Sequence, residues 1–243
     1  GGPLKLVKRF AASRKYTATR QPDQQGECHV LGIATQCSLD RVDSLRLQSA
    51  AWQGPVVVAV LAECLAAPGH PQITRKAGMA RLRELHRQAQ GRVQILVYQR
   101  AHPGRPYPVN AMRNLALHAA CTWQLVWILD VDCVPVVDAY ANLVGTLAQR
   151  DQLCRMCCND GAAIVIPCFE LSPAQTQSPP SRTLEQARAA VAAGELTPFM
   201  QDRWPQGHRA SDLGRWLAAA KPPSPAFVGP LCYEEFFEPY VIV

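Results

Sequence analysis

Two acidic residues, one position apart, follow an apolar run near the middle of the chain. The run Leu125-Val-Trp-Ile-Leu leads directly into Asp130-Val-Asp132, and Pro135 closes the segment. A short run of large apolar residues predicts a buried strand, and strand alternation would place both carboxylates on the same side. Carboxylate oxygens suit Mg²⁺ or Mn²⁺, which complete their coordination with substrate phosphates. The pattern therefore predicts a divalent-cation site for a diphosphate, whereas the alternative is two polar residues that begin a loop.

A helix predicted over 109–121 precedes this acidic segment and carries a second set of polar side chains. Its buried stripe is apolar, while Asn110, Arg113 and Asn114 lie near its start. Asn110 and Arg113 are three positions apart and therefore share one face of the helix. Arg113 offers a planar fork of donors that suits a phosphate or a carboxylate. An ion pair with Asp130 or Asp132 is the alternative, and it would also bring Arg113 to the acidic segment.

Strands and helices are predicted to alternate as far as residue 170. This order favours a mainly parallel, doubly wound α/β sheet with helices on both faces. Ligands of such sheets bind at the carboxyl ends of the strands, where Thr35-Gln36 and the two aspartates are expected. Strands are predicted over 28–35, 55–61, 93–98 and 162–169 and in the apolar run that starts at Leu125, and helices over 40–52 (capped by Ser38), 74–90, 109–121, 138–150 and 183–194.

Composition is that of a globular protein, with 48% hydrophobic and 18% charged residues. The net charge of +6 could favour a diphosphate or an acidic glycan. No dense basic stripe interleaved with aromatics is present, which argues against nucleic-acid binding. No apolar segment approaches the roughly 20 residues of a membrane helix. Ten cysteines favour disulfides in a secretory lumen, with free buried thiols as the alternative.

The chain is predicted to consist of an extended arm over residues 1–27 and one domain over 28–243. A Ser/Pro/Gln-rich loop over 170–182 suits a mobile lid. The sequence does not begin with Met and ends at Val243 within an apparent strand. We therefore expect an excerpt of a longer precursor, in which a membrane anchor would lie outside this sequence and the C-terminal part of the domain is missing.

Several further segments can be compared with known sequences, and together they cover most of the chain from residue 28 onward. They are Thr35–Arg41 with Trp52–Val60, Tyr107–Ala116, Trp127–Pro135, Gly207–Trp216 and Glu234–Val243. In this order they resemble glycosyltransferase family 49, which includes the LARGE enzymes and β-1,4-glucuronyltransferase. Ser211 stands where the family carries threonine, which keeps the hydroxyl.

The resemblance implies a GT-A fold, a UDP-sugar donor (UDP-glucuronate above all), Mn²⁺ or Mg²⁺ and inversion at the anomeric carbon. It also implies a glycan or glycoprotein acceptor and a membrane-anchored enzyme of the Golgi or another secretory lumen. Asp130 and Asp132 would hold the metal, Asp132 more directly, with a histidine from a later segment of the family. The donor would contact Thr35, Gln36, Arg41, Asn110, Arg113, Asn114, His208, Arg209 and Trp216.

An inverting transfer needs a general base to deprotonate the acceptor hydroxyl. The candidates are Asp212 and Glu238, with Glu234 and Glu235 nearby; burial before Pro239 could raise the pKa of Glu238. There are two alternatives to the hypothesis of an active transferase. One is an inactive relative that binds glycan or nucleotide. The other is a phosphohydrolase with Asp130 as nucleophile, against which the mid-chain position of the motif argues.

Overall fold

The structure is a computed structural model that describes residues 3–12, 31–65, 73–102, 105–172, 183–219, 230–231 and 234–243. The chain divides into two compact units, Gly1–Val134 and Pro135–Val243. None of the helices within the described ranges is long and apolar enough to cross a bilayer.

The first unit is a mainly parallel α/β sheet, as the sequence predicts. Its strands lie in the order β1-β4-β3-β2-β5; β1 runs antiparallel to β4, and the other neighbours are parallel. In chain order the elements are β1 (Leu4–Phe10), β2 (Leu31–Ser38), a 3₁₀ helix (Leu39–Arg41), α1 (Val42–Ala51), β3 (Val56–Leu61), α2 (Arg75–Gln88), β4 (Val93–Arg100), α3 (Val109–Ala119) and β5 (Leu125–Ile128).

Both faces of this sheet are covered, because every residue of β2 and β3 is buried. Helix α3 packs on β2 and β3, where Met112 and Ala116 join a core cluster with Ala34 and Val57. Alternate strand residues point to the opposite face. Helix α1 contacts β2 and helix α2 contacts β4, so helices cover these strands as well.

Several predicted boundaries were wrong in the first unit. The strand before the two aspartates ends at Ile128, so neither aspartate belongs to it. Ser38 makes no capping hydrogen bond with its side chain, and α1 begins only after the 3₁₀ helix. Thr74 does cap α2, since its side chain accepts from the amide of Ala77. Strand β1 lies within the predicted arm, and its pairing with β4 was not predicted.

The second unit contains short elements. The predicted helix over 138–150 is two helices, separated at Gly145, and the second begins with a capping box of Thr146 and Gln149. The predicted helix over 183–194 begins with a capping box of Thr183 and Gln186. The elements are α4 (Ala139–Val144), α5 (Leu147–Cys154) with a π-helical extension (Arg155–Asn159), β6 (Ile164–Val165), β7 (Phe169–Leu171), α6 (Leu184–Ala192), β8 (Leu196–Pro198), α7 (Pro205–His208), a 3₁₀ helix (Arg209–Ser211), α8 (Leu213–Ala219) and β9 (Val241–Ile242).

Strand pairing in this unit is local. Strand β6 pairs antiparallel with β9, and β7 pairs antiparallel with β8. The predicted strand over 162–169 is therefore two short strands with different partners. Residues 173–182, most of the predicted lid, lie outside the described residues.

None of the eight cysteines within the described ranges forms a disulfide, contrary to what we expected. Three of them, Cys154, Cys157 and Cys158, follow one another along α5 and its π-helical extension. Burial, with contributions from Cys158 and then Cys154, raises the pKa of the Cys157 thiol to about 11. Since the thiolate is the nucleophile, Cys157 is unreactive in neutral solution.

We expect iodoacetamide at pH 8 to alkylate exposed Cys121 and Cys158 well before Cys157. The rate at Cys157 should rise as the pH approaches 11, because its raised pKa keeps the thiol neutral below that value. Peptide mass spectrometry of timed samples would measure each rate. Equal rates at Cys157 and Cys121 at pH 8 would contradict the assigned burial.

Candidate functional site

The two aspartates lie in a turn directly beyond β5. The last paired residue of β5, Ile128, lies beside Ala34 of β2, so Asp130 follows next to Gln36. The amide of Cys133 donates to the carbonyl oxygen of Asp130 at 3.0 Å and closes the turn. Because the strand has ended, its alternation does not orient the two carboxylates. Each of them has its own partners.

Asp130 is held from two sides. Arg113 of α3 donates through Nη2 to Oδ1 and Oδ2 at 2.8 and 2.9 Å, and through Nε to Oδ1 at 3.3 Å. The side-chain amide of Gln36 donates to Oδ1 at 3.1 Å. The side chains of Asp130 and Arg113 are 28% and 32% exposed. The predicted ion pair of Arg113 is thus present, and it brings α3 to the acidic turn.

Asp132 is the more accessible carboxylate, with a side chain that is 53% exposed. It forms an ion pair with Arg41 from the 3₁₀ helix after β2, and Arg41 Nε donates to Oδ1 at 3.2 Å. This hydrogen bond is the largest of the interactions that raise the pKa of Arg41. An exposed carboxylate with one exposed partner can exchange that partner for an external cation.

The other residues expected around a donor in the first unit differ in exposure. Asn110 and Asn114 are exposed on α3. Thr35 is buried, at 1% exposure, and its hydroxyl has no hydrogen-bond partner among the residues that the structure describes. Gln36 is also buried, and its amide nitrogen is used by Asp130. The surface around the turn is therefore formed by Asp132, Arg41 and the exposed side of α3, while Thr35 and Gln36 lie beneath it.

The predicted site residues of the second unit mostly have partners within that unit. The ring of His208 lies 5.0 Å from that of Phe199 and 6.0 Å from that of Tyr240, between centroids. Arg209 Nη2 donates to Glu234 at 2.6 Å. The ring of Trp216 lies 6.3 Å from that of Phe169. The His208 and Trp216 rings thus pack against aromatic neighbours.

The two candidate bases are exposed carboxylates. Asp212 has a left-handed backbone, at φ 45°, and its Oδ1 accepts from the amide of Arg215 at 3.2 Å, within the first turn of α8. Glu238 is exposed, so the burial that we expected for it was wrong. Its backbone amide donates to the carbonyl of Gly207 at 2.9 Å. Glu234, the neighbouring carboxylate, forms an ion pair with Arg209.

Sequence reasoning missed a buried ion pair near the site. Arg100, at the end of β4, contacts Glu63 with Nη2 at 2.6 Å, and the two side chains are 6% and 17% exposed. Arg100 Nη1 also donates to the carbonyl of Pro106, just before α3. The carbonyl of Glu63 accepts from the amide of Leu39, which starts the 3₁₀ helix that carries Arg41. The sequence signal that could have indicated this ion pair is Glu63, a charged residue that interrupts an apolar run.

Besides Arg100 and Glu63, sequence reasoning missed a role for Tyr107. Its hydroxyl is buried and has no hydrogen-bond partner in the described part of the chain. Burial, with smaller contributions from Cys37 and Asp130, raises the pKa of this hydroxyl, so it stays neutral. Its ring packs against the core cluster under α3 and supports the segment that leads into this helix.

The donor set of the turn fits a hard divalent cation. No group of three or more His, Cys, Asp or Glu side chains is arranged for a metal among the residues that the structure describes. Mg²⁺ is commonly held by one or two carboxylates together with substrate phosphates rather than by a closed protein cage. The exposed oxygens of Asp132 are suited to that arrangement.

Comparisons with known proteins show which family the chain resembles. The family described as "Glycosyl-transferase for dystroglycan" matches residues 68–243. The chain is 27% identical over 215 residues to "Xylosyl- and glucuronyltransferase LARGE2" of Mus musculus, covering 88% of this chain and 28% of that protein. It is 28% identical over 215 residues to LARGE2 of Homo sapiens, covering 88% and 27%. It is 27% identical over 217 residues to LARGE1 of Mus musculus, covering 87% and 25%. The chain thus spans about a quarter of the length of these relatives.

Proposed function

Because the chain belongs to the family of glycosyl-transferases for dystroglycan, we propose that it transfers a sugar from a UDP-sugar to a glycan acceptor. The proposed donor is UDP-glucuronate, from which glucuronate is transferred, with Mn²⁺ or Mg²⁺ as cofactor and inversion at the anomeric carbon. The relatives are named xylosyl- and glucuronyltransferases, and these names support UDP-glucuronate as the donor. We place the activity in the Golgi or another secretory lumen.

One observation carries this proposal. At the carboxyl end of a parallel sheet, a half-exposed carboxylate, Asp132, lies in a turn flanked by Arg41 and Arg113. The carboxyl ends of such strands are where doubly wound sheets bind ligands. A carboxylate for a cation, with arginines for phosphate oxygens, matches the charge of a metal-bound diphosphate.

The residues of the first unit would divide the work of donor binding. Asp132 would hold the cation, which, when bound, offsets the negative charge that develops on the leaving UDP. Arg41 would then be released from Asp132 and could bind the diphosphate. Asp130 would stay fixed by Arg113 and Gln36, which keeps the turn in place. Asn110 and Asn114, exposed on α3, offer amides to the sugar or the ribose.

The chemical step needs a base for the acceptor. The acceptor oxygen forms a bond to the anomeric carbon while the bond from that carbon to the phosphate oxygen breaks, and UDP leaves with the electron pair. The proton of the acceptor hydroxyl passes to a carboxylate, for which we propose Glu238 or Asp212. His208, Arg209 and Trp216 are proposed as further donor contacts in the second unit.

The test uses the full chain with UDP-glucuronate, UDP-xylose and UDP-glucose in parallel. We expect Mn²⁺-dependent binding by calorimetry, lost with chelator, and UDP release from UDP-glucuronate only when a xyloside acceptor is present. Binding without release would favour the inactive relative. No binding of any UDP-sugar by the folded chain would exclude the proposed donor site. Covalent labelling of Asp130 by beryllofluoride would favour the phosphohydrolase.

A further inference from the structure

A buried glutamine holds the acidic turn from below. Gln48 of α1 is 0% exposed. Its amide nitrogen donates to the carbonyl oxygen of Asp130 and to that of Cys133, both at 2.8 Å. The two residues lie 82 and 85 positions away in the chain. A single side chain therefore joins α1 to both ends of the turn that carries Asp132.

The orientation of this amide is determined by its partners. Both partners are carbonyl oxygens, which only accept, so the nitrogen of the amide must face them. Its oxygen, Oε1, is buried and has no hydrogen-bond partner within the described ranges. A buried acceptor without a partner is unfavourable, and Gln48 occupies the position three residues after buried Leu45, where an apolar side chain would fit the helix stripe. The two hydrogen bonds that its nitrogen donates to the turn explain why this position is polar.

The held turn is short and contains the exposed carboxylate. The amide of Cys133 also donates to the carbonyl oxygen of Asp130, at 3.0 Å, so this oxygen accepts two hydrogen bonds. Only Val131 and Asp132 lie between the two anchored residues. Fixing both ends restricts the backbone from which the Asp132 side chain projects. The strand cannot provide this restraint because it ends at Ile128.

We propose that Gln48 is a positioning residue for the Asp132 carboxylate. It contacts neither the donor nor the cation and acts through the backbone of the turn. The inference rests on the proposed function, because the benefit of a fixed carboxylate is tighter binding of the cation and the diphosphate. Residues that orient metal ligands typically change metal affinity about 10- to 100-fold when they are replaced.

The test compares Gln48→Met with Leu45→Ala. Methionine keeps the length of the side chain but cannot donate, whereas Leu45→Ala removes a fully buried side chain from the same helix and leaves the amide of Gln48 in place. Gln48→Leu is the second variant if Gln48→Met does not fold. Two readouts are taken: hydrogen exchange of the amides of 131–133 without ligand, and Mn²⁺ affinity in the presence of UDP by electron paramagnetic resonance.

We expect Gln48→Met to speed exchange in the turn and to weaken Mn²⁺ binding about 10- to 100-fold. Leu45→Ala should lower the thermal midpoint yet leave both readouts within about threefold of the wild type, since it leaves both turn anchors in place. Unchanged exchange in the turn of Gln48→Met would overturn the inference, as would equal losses in both variants. Absence of Mn²⁺ binding in the wild type would count against the proposed function alone, because the exchange result still decides the role of Gln48.

Discussion

Replacing Asp132 with asparagine is expected to lower kcat/KM for sugar transfer about 100-fold or more, since a bound cation contributes several kcal/mol to the stabilisation of leaving-group charge. Asparagine keeps the shape of the side chain but lacks the charge that holds a divalent cation. The side chain is 53% exposed and its partner Arg41 is 48% exposed, so the fold should persist. Transfer rates at several Mn²⁺ concentrations, with thermal melting alongside, would measure both effects.

A matched control exists in the same unit. Asp43 of α1 is 58% exposed and forms an ion pair with Arg81 at 2.6 Å, so it resembles Asp132 in exposure and partner. Asp43→Asn should leave both the transfer rate and its Mn²⁺ dependence unchanged. If Asp132→Asn kept the wild-type rate, or if both variants lost activity equally, the assignment of Asp132 would be wrong.

Asp130→Asn should lower stability as well as activity, unlike Asp132→Asn. The Asp130 carboxylate is 28% exposed and binds Arg113 through both oxygens. Its replacement leaves Arg113 without its main partner, so we expect lower activity together with a lower thermal midpoint. A variant that loses only activity would instead indicate that Asp130 holds the cation directly.

Replacing Glu63 with glutamine is expected to lower the free energy of unfolding by about 3–5 kcal/mol, the usual effect of removing one partner of a buried ion pair. Arg100 is only 6% exposed, and its guanidinium contacts Glu63 at 2.6 Å. Without the carboxylate, a buried charge lacks compensation. Since Arg100 also holds the carbonyl of Pro106, the segment before α3 should loosen as well.

Urea denaturation of Glu63→Gln would measure the loss. The exposed pair of Glu84 and Arg87, with side chains 48% and 73% exposed, supplies the control, and Glu84→Gln should leave stability essentially unchanged. The double variant Glu63→Leu with Arg100→Met should recover part of the loss, because it removes both charges. Equal stability of Glu63→Gln and the wild type would show that the pair is not buried in solution.

Many elements of the first unit were predictable because their signals are local. The apolar run ending at Leu61 and the stripe of α2 behind Thr74 need no information about distant residues. The edge strand β1 was not predictable in the same way. Its residues are largely exposed and three of the seven are basic, and they form a strand because β4 offers backbone partners.

The features of the site also fall into those that local sequence patterns predict and those that depend on distant residues. The sequence by itself determined that two aspartates follow a buried strand and that Arg113 lies on a helix just before it, because these are facts of spacing and periodicity. Only the tertiary structure decided that the strand ends at Ile128, that Arg41 meets Asp132, and that Gln48 holds the turn. Those contacts join residues more than 80 positions apart, and they depend on the parallel register of β2 and β5, which no local pattern encodes.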